Sequence, residues 1–405
     1  MVRAPIFLLA LGVVYAMTFV LADGLRFDPV KDEIHFQQSA RAFAAPFGVE
    51  ELRSYPEVVT PLALVLWGRL ERLTGEGLWA GRFLNLVLSF GLVCGVAFAR
   101  LDAWPRGALA ATGLLVFPYT LPLSVHLYTD VMAVALAGLG TLAVLRRRPA
   151  LAFLAFSASI ATRQYLVQVP AALAAAEALA CLRGARERWK TAFASAAAAA
   201  TLGGWIIFFG GLAPRVGLDA WIPRYPAPML ETSAFILHYG LYSLTGIGAY
   251  FVLVEAVLFR ELPARELVLD RRSLIVAVAL ALLFALAPPI LTASHPGGPI
   301  GRVFRVLLPA PGFDLARVAV YYVLALFAAL RFSRRLDAAF WIVLAGVVLA
   351  TKQQIPWEKY LLPTLSTLWI LRAWGDLGPY GVGERTEPTS NGFTKQSSPN
   401  PRFST

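Results

Sequence analysis

Ile6–Leu21 reads IFLLALGVVYAMTFVL, an apolar run without a single charged residue. A helix of this composition has no polar face to turn to water, so it reads as a segment that spans a bilayer. Runs of similar character recur along the chain. At about 16–22 residues per span they number roughly twelve, near 5–22, 82–99, 107–123, 129–145, 150–166, 167–182, 191–213, 233–258, 273–292, 316–331, 338–351 and 360–374. Composition agrees: 58% of the 405 residues are apolar and only 15% are charged. A soluble protein rarely carries so little charge against so much hydrocarbon. The expected class is an all-α polytopic membrane protein, one transmembrane unit over 1–377 with a polar, disordered tail over 378–405. Ile6–Leu21 also fits a signal peptide ending at Val20-Leu21-Ala22, but the following spans favour a retained first helix.

The net charge of +11 does not point to nucleic acid. In a polytopic protein a basic excess marks the cytoplasmic connections. With the N-terminus inside, the inner connections are Arg100–Arg106, Arg146–Arg148, Arg183–Lys190, Arg260–Arg272 and Arg331–Arg335, and each is basic. The long loop 23–81 falls outside and shows no basic excess. Within it Glu33–Phe47 reads as an amphipathic helix with Ile34, Ala40, Phe43 and Phe47 on the apolar side. Thr60-Pro61 opens a second helix through Leu73, with Trp67 and Arg69 suited to the interface, and Gly75-Glu76-Gly77 turns the chain back. Cys94 and Cys181 lie in apolar runs and form neither a disulfide framework nor a metal spacing.

This orientation collects the polar motifs on one side. Asp32-Glu33-Ile34-His35, Tyr128-Thr129-Asp130, Arg163-Gln164, Arg224-Tyr225, His295 with Arg302 and Arg305, and Lys352 through Glu358 and Tyr360 all fall at the outer face. Adjacent acids beside an imidazole at a membrane surface suit general-base chemistry on a substrate that arrives through lipid. Each motif has a plainer reading beside this one. Surface acids are usually solvated charge, and Asp130 with Arg163 equally fits a structural ion pair between helices. Glu358–Tyr360 equally fits an interfacial anchor, and His295-Pro296-Gly297-Gly298 fits a turn. Glu177 and Glu255 sit near inner helix ends, within reach of water.

The order of these motifs resembles the eukaryotic dolichyl-phosphate-glucose alpha-1,2-glucosyltransferases, which add the terminal glucose to the lipid-linked N-glycan precursor. Asp32-Glu33-Ile34-His35 is similar to that family's Asp-Glu-Ile-Phe-His signature, and Phe117-Pro118 with Leu127-Tyr128-Thr129-Asp130 to its Phe-Pro and Tyr-Tyr-Thr-Asp segment. Arg163-Gln164 resembles its Arg-Gln-Thr-Asn. Gly210-Gly211 with Gly217 and Asp219 resembles a Gly-Gly and Gly-Asp loop, and Glu358-Lys359-Tyr360 through Pro363 a Glu-Pro-Arg-Tyr ending. The likeness spans residues 32–363 in family order. Departures are Phe36 after His35, Tyr165 after Arg-Gln, and the missing Asp-Asn-Arg-His element. The family's cytoplasmic insertions are absent, and the Ala/Leu/Arg-rich composition suggests a bacterial relative.

The resemblance implies a GT-C-like glycosyltransferase that moves a sugar, glucose by likeness, from a polyprenyl-phosphate donor to a glycan or lipid-linked acceptor. In that reading Asp32 is the base and Glu33 orients the acceptor or shares its proton. Arg163, then Arg302, Arg305 and Lys352, hold the donor phosphate, since arginine's planar fork suits phosphate oxygens. His35, Tyr128, Asp130, Gln164, Arg224, Glu358 and Tyr360 contact substrate. No nucleotide-sugar fold or Asp-x-Asp metal motif appears, so no cofactor is expected. The rival reading is a secondary transporter or lipid flippase, which predicts internal repeats and polar sites at mid-membrane.

Overall fold

The computed structural model describes residues 3–30, 32–221, 235–260, 270–289, 298–309, 312, 314–353 and 356–377. Among them the secondary structure is helical, with no strand. Helix α1 (Arg3–Leu21) leads into the first loop, which carries α2 (Asp32–Ala42), α3 (Val49–Arg53) and α4 (Leu62–Thr74). Then come α5 (Gly77–Ala97), α6 (Trp104–Val116), α7 (Thr120–Ser124), α8 (Thr129–Leu145), α9 (Pro149–Thr162), α10 (Gln168–Leu182), α11 (Trp189–Phe209) and α12 (Arg215–Trp221). Helix α13 (Leu237–Ile247) runs through a π-helical stretch (Gly248–Leu253) into α14 (Val254–Phe259). The chain closes with α15 (Arg271–Leu286), α16 (Pro299–Leu307), α17 (Asp314–Ser333), α18 (Ala338–Ala350) and α19 (Leu362–Trp374).

Six described helices are long and apolar enough to cross a membrane: Ala4–Leu21, Gly77–Ala97, Gln164–Leu182, Arg186–Phe209, Leu237–Phe259 and Asp314–Ser333. Thr129–Leu145, Pro149–Thr162 and Ala338–Ala350 are apolar but shorter. The chain is thus a helical, membrane-type protein. The expected span at 107–123 is not one helix. α6 ends at Val116, and Phe117 turns extended ahead of Pro118, as a residue before proline tends to. α19 lies at the centre, buried along its whole length, and packs against α6, α8 and α18.

The two helices of the first loop fold onto the bundle. α2 buries Glu33, Phe36 and Ala40, and Phe43 continues that face. Ile34, expected on the apolar side, is 42% exposed. α4 buries Trp67 at 1% exposure, so the expected interfacial tryptophan is a core residue packed against Phe36. The two helices cross at Gly68, where an added Cβ would lie 2.4 Å from the Ala40 carbonyl oxygen. Gly75 closes α4 in the left-handed conformation.

The basic connections meet at one end. Arg146 donates to the Ala99 carbonyl, Arg147 and Arg188 pair with Glu177, Arg331 and Arg372 pair with Glu255, and Arg272 caps the carbonyls of Ser333 and Arg334. Loops bearing Asp32, Asp130, Arg163 and Glu358 meet at the other end. The expected tail 378–405 lies outside the described residues.

Candidate functional site

The site starts from one buried ion pair. α5 carries Arg82 near its N-terminal end, where the guanidinium grips Glu33 through Nε–Oε1 at 2.9 Å and Nη2–Oε2 at 2.8 Å. Its remaining N–H groups reach the carbonyls of Leu25 at 3.0 Å and Phe27 at 2.7 Å, beneath the Phe27 ring. Glu33 also accepts from the backbone N–H of Leu127 at 2.6 Å and of Val30 at 3.1 Å, and pairs with His126 Nδ1 at 3.2 Å. Both partners of the Arg82–Glu33 pair are fully buried. Burial pushes the Glu33 carboxyl up, but bonds from His126, Arg82 and the Leu127 and Val30 amides outweigh it and hold it at about 2. Glu33, expected to orient the acceptor or share its proton, thus sits inside a buried ion pair. Its oxygens are committed to the protein, and it anchors the first loop.

Asp32, one residue earlier, points elsewhere. Its side chain is 33% exposed, and its carboxylate stands 4.0 Å from the ammonium of Lys359, itself 3% exposed. That ammonium is ringed by Trp357 at 3.9 Å, Tyr128 at 4.9 Å and Tyr360 at 5.4 Å from the ring centres. Behind Tyr360 stands Tyr165, edge to face at 5.6 Å, whose hydroxyl donates to Asp130. Asp130, fully buried in the first turn of α8, accepts from Arg163 Nη2 at 3.2 and 3.0 Å. Arg163 caps the end of α9 with extended backbone, so its side chain folds back across the helix end toward α8.

Next along the chain, Glu358 forms a second node. It accepts from the hydroxyls of Tyr242 and Tyr250 and from the Ile300 N–H at 3.0 Å, at the start of α16. The π-helical stretch is what carries Tyr250. Burial pushes the Glu358 carboxyl up against these bonds. Gly298 fits only because it lacks a side chain, since a Cβ there would meet the Glu358 carboxyl carbon at 2.6 Å. The pocket lined by Tyr242, Trp357, Glu358 and Tyr360 holds about one water rather than a sugar ring.

The structure therefore brings together Asp32, Tyr128, Asp130, Arg163 and Tyr360, with Glu358 adjoining. Gln164 does not face them: its amide nitrogen bridges the carbonyls of Val58 at 2.8 Å and Leu212 at 3.0 Å. It ties the first loop to the segment after α11. His35 is half-buried on α2. Lys352 is exposed and lies over the Phe235 ring. Arg302 and Arg305 ride on α16, beside the Glu358 node rather than the Asp32 group. Arg224 and His295 lie outside the described residues. Among the described residues no three His, Cys, Asp or Glu side chains gather as a metal-binding set.

Two residues of these clusters were not among the site residues expected from the sequence. Arg82 opens an apolar run, where a cation reads as a span boundary. Lys359 reads as a headgroup anchor. Only the presence of Glu33 and Asp32 elsewhere in the chain gives either a partner. Compared with known proteins, the chain matches no family model, no curated protein and no solved structure.

Proposed function

We propose that the protein is an integral-membrane glycosyltransferase of the GT-C-like class, using a polyprenyl-phosphate sugar, with glucose favoured by the motif resemblance. The site faces the outer side, which in a bacterium is the periplasmic face of the inner membrane. One observation carries the reading. A partly exposed carboxylate, Asp32, stands at the rim of a group of buried cations and tyrosines at the end of an apolar bundle remote from the basic connections. A lipid-borne donor keeps its tail in hydrocarbon and presents its phosphate and sugar at that depth.

In the transfer, the acceptor hydroxyl oxygen attacks the anomeric carbon. The bond from that carbon to the phosphate oxygen breaks, and the phosphate leaves with the electron pair. Asp32 takes the hydroxyl proton, and attack opposite the leaving group inverts the sugar carbon. Positive charge placed where the phosphate becomes anionic lowers the barrier. Arg163 supplies such charge at the cluster, braced by Asp130. Arg82 and Glu33 fix the helix that presents Asp32. The rival transporter reading calls for polar groups at mid-depth. The ion pairs Arg82–Glu33, Arg163–Asp130, Arg147–Glu177 and Arg331–Glu255 all involve helix ends or connections instead.

The test is incubation of the purified protein with defined polyprenyl-phosphate sugars and candidate acceptors, following release of polyprenyl phosphate. Release that depends on acceptor and on Asp32 supports the reading. Absence of release across hexose donors, with movement of a lipid or solute across a vesicle wall, would replace it with the transporter.

A further inference from the structure

The ammonium of Lys359 is in an unusual place. It is buried within a ring of Trp357, Tyr128 and Tyr360, and its ion partner Asp32 lies at 4.0 Å, beyond hydrogen-bonding reach. Burying a cation costs several kcal/mol unless a close counter-charge and hydrogen bonds compensate. The aromatic faces offset part of that cost, and Asp130 and Asp32 add attraction at longer range while Arg163 opposes it. Among the described residues no acceptor completes its shell. Arg163, by contrast, already holds its counter-charge, meeting both Asp130 oxygens through Nη2 while its buried Nε has no acceptor, and Arg82 is filled by Glu33 and three carbonyls. Of these three cations, Lys359 is the one whose counter-charge stands beyond hydrogen-bonding reach.

We infer that Lys359 is the seat of the phosphate of a lipid monophosphate, and that Asp32 is its placeholder when the site is empty. The inference rests on the proposed reading for the identity of the lipid, and adds the residue that reads its headgroup. An arriving phosphate oxygen takes the Lys359 ammonium as a close, charge-assisted partner. Asp32 then loses its neighbouring cation to the phosphate and is free to meet an acceptor hydroxyl. Donor arrival and exposure of the base are thus one event.

The experiment measures binding, so it does not depend on turnover. Polyprenyl phosphate, polyprenol of the same chain length and inorganic phosphate are titrated into the full-length protein in nanodiscs. The expected result is that polyprenyl phosphate binds more tightly than polyprenol by roughly 10- to 100-fold, the worth of a hydrogen bond to a charged group. Lys359→Met should erase that preference and Lys359→Arg should keep most of it. Asp32→Asn, which removes the competing carboxylate, should tighten the phosphate lipid severalfold, and it tests the same contact even if Lys359→Met does not fold. A preference that survives in folded Lys359→Met, or that disappears in Arg163→Met instead, overturns the assignment. So does an Asp32→Asn protein with unchanged affinity. Inorganic phosphate binding as tightly as the lipid would overturn the lipid monophosphate as ligand. Phosphate selectivity without any sugar transfer would retain the Lys359 seat and remove the transferase reading.

Discussion

At the scale of single residues, Asp32 and Glu33 show how neighbours divide labour. Successive helical residues point about 100° apart, so one faces the core and Arg82 while its neighbour faces the rim and Lys359. Asp32→Asn should reduce transfer by about 10²–10⁴-fold, the usual worth of a general base, with the melting temperature nearly unchanged; measured turnover beside thermal unfolding checks both. Glu33→Gln should act differently. It leaves Arg82 buried without a counter-charge, a loss of about 3–5 kcal/mol for such a pair, and stability should fall before any catalytic effect can be isolated. The pH dependence follows from the direction of the Glu33 shift. Its folded value, about 2, lies below the ordinary 4.5. The anchor is therefore fully present above pH 4.5 and is lost as pH falls toward 2. The gap in melting temperature between the native protein and Glu33→Gln should stay constant above that range and close below it. A gap that widens in acid would place the anchor elsewhere.

At the scale of elements, the position of Asp32 depends on how α2 sits on α4. Gly68 is the crossing point, and the atoms a side chain would meet there are backbone: the Ala40 oxygen at 2.4 Å, the Phe43 carbon at 2.8 Å and the Ala44 nitrogen at 2.9 Å. Backbone gives way less easily than a side chain. Gly68→Ala should therefore lift α2 from its seat, costing about 1–3 kcal/mol as overpacking does and lowering transfer without touching the chemistry. A Gly68→Ser protein as active as the native one would rule the crossing out as the cause. The junction of α8 and α9 makes a similar case. Arg163 meets both Asp130 oxygens through Nη2 alone, so Arg163→Lys keeps the charge but removes the Nε and Nη1 donors of the guanidinium. Activity should drop sharply. Stability falling in step would identify Arg163 as a brace; a rise in donor KM alone would identify it as a phosphate ligand.

For the whole molecule, the sidedness proposed from sequence can be tested directly. With Cys94 and Cys181 replaced, a cysteine at Val49 in the first loop should react with a membrane-impermeant maleimide on intact cells. One at Leu182 should react only after permeabilisation. The reverse pattern would turn the site to the cytoplasm. Helical membrane character and the gathering of basic connections at one end were legible in the sequence, because each follows from composition taken run by run. The cluster around Asp32 and Arg163 was legible only as a set of separate motifs. That Gln164 would spend its amide on Val58 and Leu212, or that Trp67 would enter the core, depends on how the first loop folds back. No periodicity within that loop records what it folds against. α19 shows the same limit, since Thr364, Ser366, Thr367 and Arg372 are polar residues inside a buried helix, and only the surrounding helices supply their burial.

The grip of Arg82 on Glu33 also has a history in time. Glu33 is made first, Arg82 follows 49 residues later, and the Leu127 amide that completes the carboxylate's shell comes 94 residues after Glu33. At usual rates of synthesis that last interval lasts roughly 5–20 s. For the later part of it, in the proposed orientation, the first loop lies across the bilayer before the Leu127 amide has joined the Glu33 carboxylate. Birth of the protein thus includes a period in which Asp32 is present and the frame that holds it is not. The insertion machinery must carry the nascent chain through that interval, and a ribosome stalled between α5 and α8 would leave behind a product with its first loop unfastened.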